Sequence, residues 1–111
     1  MTRGAADTFI FGRRLKEARL AAGLSQQQLG VAAGIDPAVA STRVNRYERG
    51  IHMPDPRIVE GLGQVLGLVA PYFYAVDDEL AGFLYRYSKA PAGVRRELRR
   101  VVEGVEGPDG A

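Results

Sequence analysis

A chain of 111 residues with no cysteine can form neither disulfides nor thiolate metal sites, and its single histidine leaves little from which to assemble an imidazole-based catalytic or metal centre. An apolar share of 46% with 25% charged residues fits one globular domain, and no apolar run approaches the roughly 20 residues that span a bilayer. The net charge of +2 hides an asymmetry: eight Lys/Arg face four Asp/Glu through residue 53, and seven face nine beyond it, so one half suits a polyanion and the other does not.

The opening MTRGAADTF lacks the long apolar stretch of a signal peptide, and a cytoplasmic protein is expected. Residues 1–8 are small and polar and read as a disordered tail. From Phe9 to Ala22, Phe11, Leu15, Ala18 and Ala22 recur at helical spacing, with Arg13, Arg14, Lys16, Glu17 and Arg19 largely outside, and Gly23 ends this first helix. Ser25 and Gln28 have capping-box spacing, so a second helix starts at Gln26 and runs to about Ala33, with Leu29 and Ala32 or Ala33 inward. Gly34 supplies the positive φ at which a helix stops. Asp36-Pro37 reads as a new N-cap with proline at the first helical position. The third helix starts somewhere between Pro37 and Thr42 and ends at Arg49. Val39, Val44 and Tyr47 are its inward residues, and Ser41, Thr42, Arg43, Asn45, Arg46 and Arg49 its polar ones.

After a loop through His52, Met53 and Pro54, Asp55-Pro56 caps a fourth helix that buries Ile58 or Val59, Leu62, Val65 and Leu66 and ends at Gly67. The aromatic run Pro71-Tyr72-Phe73-Tyr74 predicts a short element that lids the core. Asp77, Asp78 and Glu79 form an acidic first turn, favourable to the helix dipole, leading into Leu80, Phe83, Leu84 and Tyr87. Beyond the break at Lys89-Ala90-Pro91, Val94, Leu98, Val101, Val102 and Val105 make one apolar stripe opposite Arg95, Arg96, Arg99 and Arg100. Residues 106–111 read as a frayed tail.

Two short amphipathic helices joined by a tight glycine turn within Leu24–Gly50 define a helix-turn-helix. The run Gly12 to Arg19 with Ala22-Gly23-Leu24, the SQQQL sequence, the turn at Gly34-Ile35, VNRYERG and PDPRIVEGLGQVLGL together resemble the phage-repressor-like (Xre/Cro type) helix-turn-helix family over residues 9–75. Between Gly34-Ile35 and Val44 the chain is about four residues longer than the usual family pattern, which adds length either to the turn or to the recognition helix. The resemblance implies an all-α fold: a five-helix repressor-like DNA-binding domain over 9–76, with two additional C-terminal helices over 77–105 that serve dimerisation.

What the resemblance implies for function follows residue by residue. Base-edge contacts fall to Ser41, Thr42 and Arg46, with Arg43 and Asn45 beside them. Arg46 is the foremost, because a guanidinium can bind guanine O6 and N7 together. Gln26, at the first turn of the second helix, is a phosphate contact, joined by Arg13 or Arg14 and Arg49. His52 reads more simply as an exposed loop imidazole. Arg19 and Glu48 match the family's structural ion pair. Phe83, Val94, Leu98, Val101 and Val102 form the expected dimer interface, since a single recognition helix covers only a few base pairs.

The expected partner is double-stranded DNA, bound by a homodimer, with no membrane, cofactor or evident small-molecule ligand. The adjacent carboxylates Asp77-Asp78-Glu79 are the one candidate metal cluster, and they diverge around a helix axis; no catalytic constellation is visible. The function so read is a sequence-specific DNA-binding transcriptional regulator, a dimeric repressor of a palindromic operator. The alternative is an antitoxin-like or coactivator-like protein-interaction module on the same fold.

Overall fold

Phe11, Leu15 and Ala18 lie at i, i+4 and i+7, and this stripe sets the long wall of the core along helix α1 (Arg3–Ala21). The computed structural model describes residues 3–110, with side chains from Phe9 onward. The regular elements that follow are all helical: α2 (Gln26–Ala32), α3 (Ala40–Glu48), α4 (Pro56–Leu66), a 3₁₀ helix (Ala70–Tyr74), α5 (Asp78–Lys89) and α6 (Ala92–Glu103). α1 thus begins upstream of the Phe9 start that its apolar periodicity predicts, and residues 3–8 are helix instead of tail. Ala5 and Ala6 are strong helix formers with no proline near them, so a helix anchored at Phe11 propagates backward. Residues 1, 2 and 111 of the two expected tails lie outside the described residues. Residues 106–110 carry only a turn, closed by the Gly110 amide on the Gly107 carbonyl at 3.1 Å.

Local chemistry starts and stops the helices much as the sequence predicts. Ser25 Oγ accepts from the Gln28 amide at 2.9 Å while Gln28 Oε1 accepts from the Ser25 amide at 2.9 Å, a complete capping box. Asp55 caps α4 by accepting the Ile58 amide at 2.9 Å, and Gly67 ends that helix in the left-handed region at φ +66°.

The exception is the segment before α3. Asp36 Oδ1 accepts from the Ala38 amide at 2.8 Å and its carbonyl accepts from the Val39 amide at 3.0 Å, so Asp36-Pro37 builds a self-contained turn and not the N-cap of a helix. The N-cap is Val39, whose side chain makes no capping bond. The extra residues therefore lengthen the turn. Val39, predicted to face inward, is 37% exposed, and Ala40 takes the fully buried place.

Phe11, Leu15, Leu29, Val44, Leu62 and Phe73 are the largest fully buried side chains, drawn from α1, α2, α3, α4 and the 3₁₀ helix. Phe11 and Phe73 pack with ring centroids 5.3 Å apart, so the aromatic run closes the base of α1. α5 belongs to this core and is not an appendage to it. Ala81 is buried, Tyr85 meets Tyr72 at 5.8 Å, Ser88 Oγ accepts the Val69 amide at 3.0 Å, and Lys89 Nζ donates to the Leu66 carbonyl. Packing thus continues across the 76/77 boundary that the sequence suggests, whereas none of the residues of α6 is buried.

Of the close helix approaches that require glycine, two fix the position of α3. A Cβ on Gly30 would sit 2.8 Å from that of Ala40, so α2 and α3 cross almost backbone to backbone. A Cβ on Gly12 would lie 2.6 Å from the Tyr47 carbonyl oxygen and closer still to that of Glu48, against backbone that cannot swing aside. Gly12→Ala must push α1 away from the end of α3. Urea denaturation should show a loss of about 1–3 kcal/mol with an unchanged m-value; a variant as stable as the parent would mean that this contact is not tight.

Candidate nucleic-acid interface

α3 is nine residues long and carries its inward side at Ala40, Val44 and Tyr47, the i, i+4, i+7 positions. That spacing turns Ser41, Thr42, Arg43 and Arg46 to solvent, with Asn45 half-buried at the edge and Arg49 exposed just past the last turn. None of Arg43, Arg46 and Arg49 makes a salt bridge among the described residues. The outer face of α3 is therefore a short, uncompensated basic strip with two hydroxyls at its N-terminal end. Burial raises the Tyr47 phenol above the usual tyrosine range, although the neighbouring Arg43 guanidinium opposes the shift.

The one acid of α3, Glu48, is turned away from this face and satisfied inside. Arg19 Nε donates to its Oε2 at 2.6 Å and Arg19 NH2 to its Oε1 at 3.0 Å, a bidentate pair with side-chain exposures of 10% and 3%. The hydrogen bond to Glu48 outweighs the cost of burial and raises the Arg19 pKa above its ordinary value. Arg19 NH1 also donates to the Leu24 carbonyl at 2.9 Å, and Gln26 Nε2 donates to Glu48 Oε1 at 3.1 Å. α1, the start of α2 and the end of α3 thus converge on one carboxylate. Gln26, assigned from the family resemblance to phosphate, holds this carboxylate with its amide and remains half-exposed.

The adjacent Gln27 serves the other end of α3, a role with no counterpart in the sequence reading. Its Oε1 accepts the Ser41 amide at 3.1 Å, and its Nε2 donates to the Pro37 carbonyl at 3.1 Å. The signal for it was indirect: a helix whose N-cap is valine must find its acceptor elsewhere.

Arg14 leaves the set of phosphate contacts. It is 4% exposed, and its Nε and NH2 donate to the Ala75 carbonyl at 3.0 and 2.8 Å, NH2 also reaching the Val76 carbonyl at 3.2 Å and Asp78 Oδ1 at 3.0 Å. Its fork is spent on orienting the chain between the 3₁₀ helix and α5. Arg13 NH2 shares the same Asp78 oxygen at 3.1 Å, on that same flank. The acidic cluster is likewise committed: Asp77 accepts the Glu79 amide at 3.2 Å as an N-cap, and Asp78 holds the two arginines. His52 is exposed in its loop.

On α5 and α6, Phe83, Val94, Val101 and Val102 are exposed and Leu98 is half-buried. A cleft lined by Phe83, Tyr87, Leu98 and Val102, with the stems of Arg99 and Glu103, runs between α5 and α6. No described helix is long and apolar enough to cross a membrane.

This arrangement of two short helices about a turn, with the second turned outward, defines a helix-turn-helix module, and a family model of the helix-turn-helix domain matches residues 10–71; the chain belongs to that family. Its fold is similar to the crystal structure of the transcriptional regulator BswR, with a TM-score of 0.74 and 42% identity over 85% of this chain and 93% of that one. No curated protein matches the chain.

Glu48→Gln leaves the Arg19 charge buried without its counter-ion and should lower stability by on the order of 3 kcal/mol. The double variant Arg19→Met/Glu48→Met should recover more than half of that loss in chemical denaturation, since packed apolar groups replace both charges. A single variant with parental stability would show that the pair is solvated in solution.

Proposed function

We propose that this protein is a transcriptional regulator of the phage-repressor (Xre/Cro) type, which binds double-stranded DNA in the cytoplasm as a homodimer and represses by occupying a palindromic operator. The observation that carries the reading is the outer face of α3, where Ser41, Thr42, Arg43, Arg46 and Arg49 project together with no salt-bridge partner among the described residues. Membership of the helix-turn-helix family supports it, as does the similarity to a protein described as a transcriptional regulator.

In this reading α3 enters the major groove, about 12 Å wide, with its N-terminal residues toward base edges. Arg46 reads guanine through paired hydrogen bonds, and Ser41, Thr42, Arg43 and Asn45 contact neighbouring positions. Gln26 and Arg49 lie at the phosphate backbone. Arg14 is excluded by its burial, and the Arg13 charge is already paired with Asp78.

Dimerisation is assigned to the last two helices. A 12-residue helix with none of its residues buried has little stability of its own, and burial of Phe83, Val94, Leu98, Val101 and Val102 against the same residues of a second copy would supply it. The same unburied stripe also favours the alternative of an adaptor that docks on another protein, and the two readings differ in solution.

Selection from a randomised duplex library should enrich a palindrome with half-sites about one helical turn apart. Arg46→Ala should lose about 1–3 kcal/mol of discrimination at one base position, whereas Arg49→Ala should weaken all sequences alike and reduce the salt slope by about 0.9. No enriched motif would favour the adaptor. Leu98→Glu/Val102→Glu should convert a sedimenting dimer into a folded monomer; an unchanged sedimentation coefficient would place the interface elsewhere.

A further inference from the structure

The lengthened turn before α3 leaves that helix without a local cap. Val39 occupies the N-cap position with an aliphatic side chain, and its backbone, at φ −127° and ψ 3°, is not the extended conformation from which a capping side chain reaches into the first turn. The amides at the start of α3 therefore need an acceptor from elsewhere in the fold. Gln27 of α2 provides one. Its carboxamide receives the Ser41 N–H on Oε1 and donates from Nε2 to the Pro37 carbonyl, both at 3.1 Å, so one planar group ties the added turn to the first turn of the helix.

From this geometry we propose that Gln27 is the positioning residue that makes the lengthened turn compatible with base readout: it aligns Ser41 and Thr42, the N-terminal contacts of α3, without itself contacting a base. The proposal rests on the DNA-binding reading above. α3 is then held at both ends by neighbouring residues of α2, since Gln26 reaches Glu48 in its last turn and Gln27 reaches Ser41 in its first. The two ends differ in exposure. The Glu48 anchor is buried beside Arg19, whereas Gln27 and Ser41 are both exposed. Loss of Gln27 should therefore leave the core intact and release only the N-terminal turn of α3 and the loop before it. The Asp36 side chain accepts the Ala38 amide, within the added turn itself.

The test has two readouts on the full chain. In the free protein, Gln27→Ala and Gln27→Met should speed hydrogen exchange of the Ser41 amide by about fivefold to tenfold, the worth of one net hydrogen bond, while the buried Leu29 and Val44 amides stay as protected as in the parent. The methionine variant retains length and helix propensity without either polar atom. It should behave as the alanine variant does; parental exchange in the methionine variant would overturn the proposal by showing that bulk alone holds the turn.

In duplex selection, both variants should lose preference at the base positions that Ser41→Ala and Thr42→Ala also relax. The preference set by Arg46 and the salt slope should remain. Unchanged selection in the Gln27 variants beside a selective parent would overturn the proposal alone. A parent that selects no sequence would overturn the DNA-binding reading and this proposal with it, even if Ser41 exchange responds as expected.

Discussion

Glu48 lies in the last turn of α3 with its carboxylate almost wholly removed from water, and the placement of the whole helix follows from how that charge is satisfied. A nine-residue helix has little stability alone, so its direction must be imposed by its neighbours. Arg19 imposes it from α1 through two parallel hydrogen bonds, a geometry that tolerates little rotation, and Gln26 adds a third from α2. The same close approach makes Gly12 obligatory, because α1 must lie against the Tyr47 and Glu48 carbonyls for Arg19 to reach. Ion pair and glycine thus form one device, and the outward face of α3 is its consequence.

The arginines divide by whether the fold supplies acceptors for them. Arg14 and Arg19 are enclosed and fully engaged with carbonyls and carboxylates, so their charge is unavailable to a ligand. Among the described residues Arg43, Arg46 and Arg49 make no salt bridge, and their charges stand exposed along α3 and just past its end. A surface that neutralises phosphates must keep its cations free in this way, since a cation already paired displaces fewer counterions from DNA.

The C-terminal part separates into two physical roles that its sequence runs together. α5 completes the core through Ala81, Tyr85 and Ser88, and its first turn holds Arg13 and Arg14 through Asp78. α6 touches the rest lightly and presents apolar residues to solvent. Its apolar stripe stands unburied, whereas the helix-turn-helix closes its own core.

What could be read in the sequence was chemistry that acts within a few residues. The Ser25–Gln28 capping box, Asp55-Pro56 at the start of α4, the glycine stops at Gly34 and Gly67 and the apolar spacing of α1 are satisfied by neighbours in the chain, so composition and spacing were enough to locate the six α-helices and the outward residues of α3. The same local rules left the start of α3 open between Pro37 and Thr42: Asp36-Pro37 serves a turn as well as a helix cap, and only packing against α2 sets the start at Ala40. Arg14 looked like its neighbour Arg13, because its acceptors at Ala75 and Val76 lie 61 and 62 residues away in sequence. Gln27 was invisible for a similar reason, since its value depends on two backbone groups brought to it by the turn. Sequence determined which segments become helices and which faces are polar, because those follow from near-neighbour hydrogen bonds and periodicity. Tertiary structure decided which polar residues remain available to a ligand, because a side chain is spent or free according to acceptors that only the folded chain brings within reach.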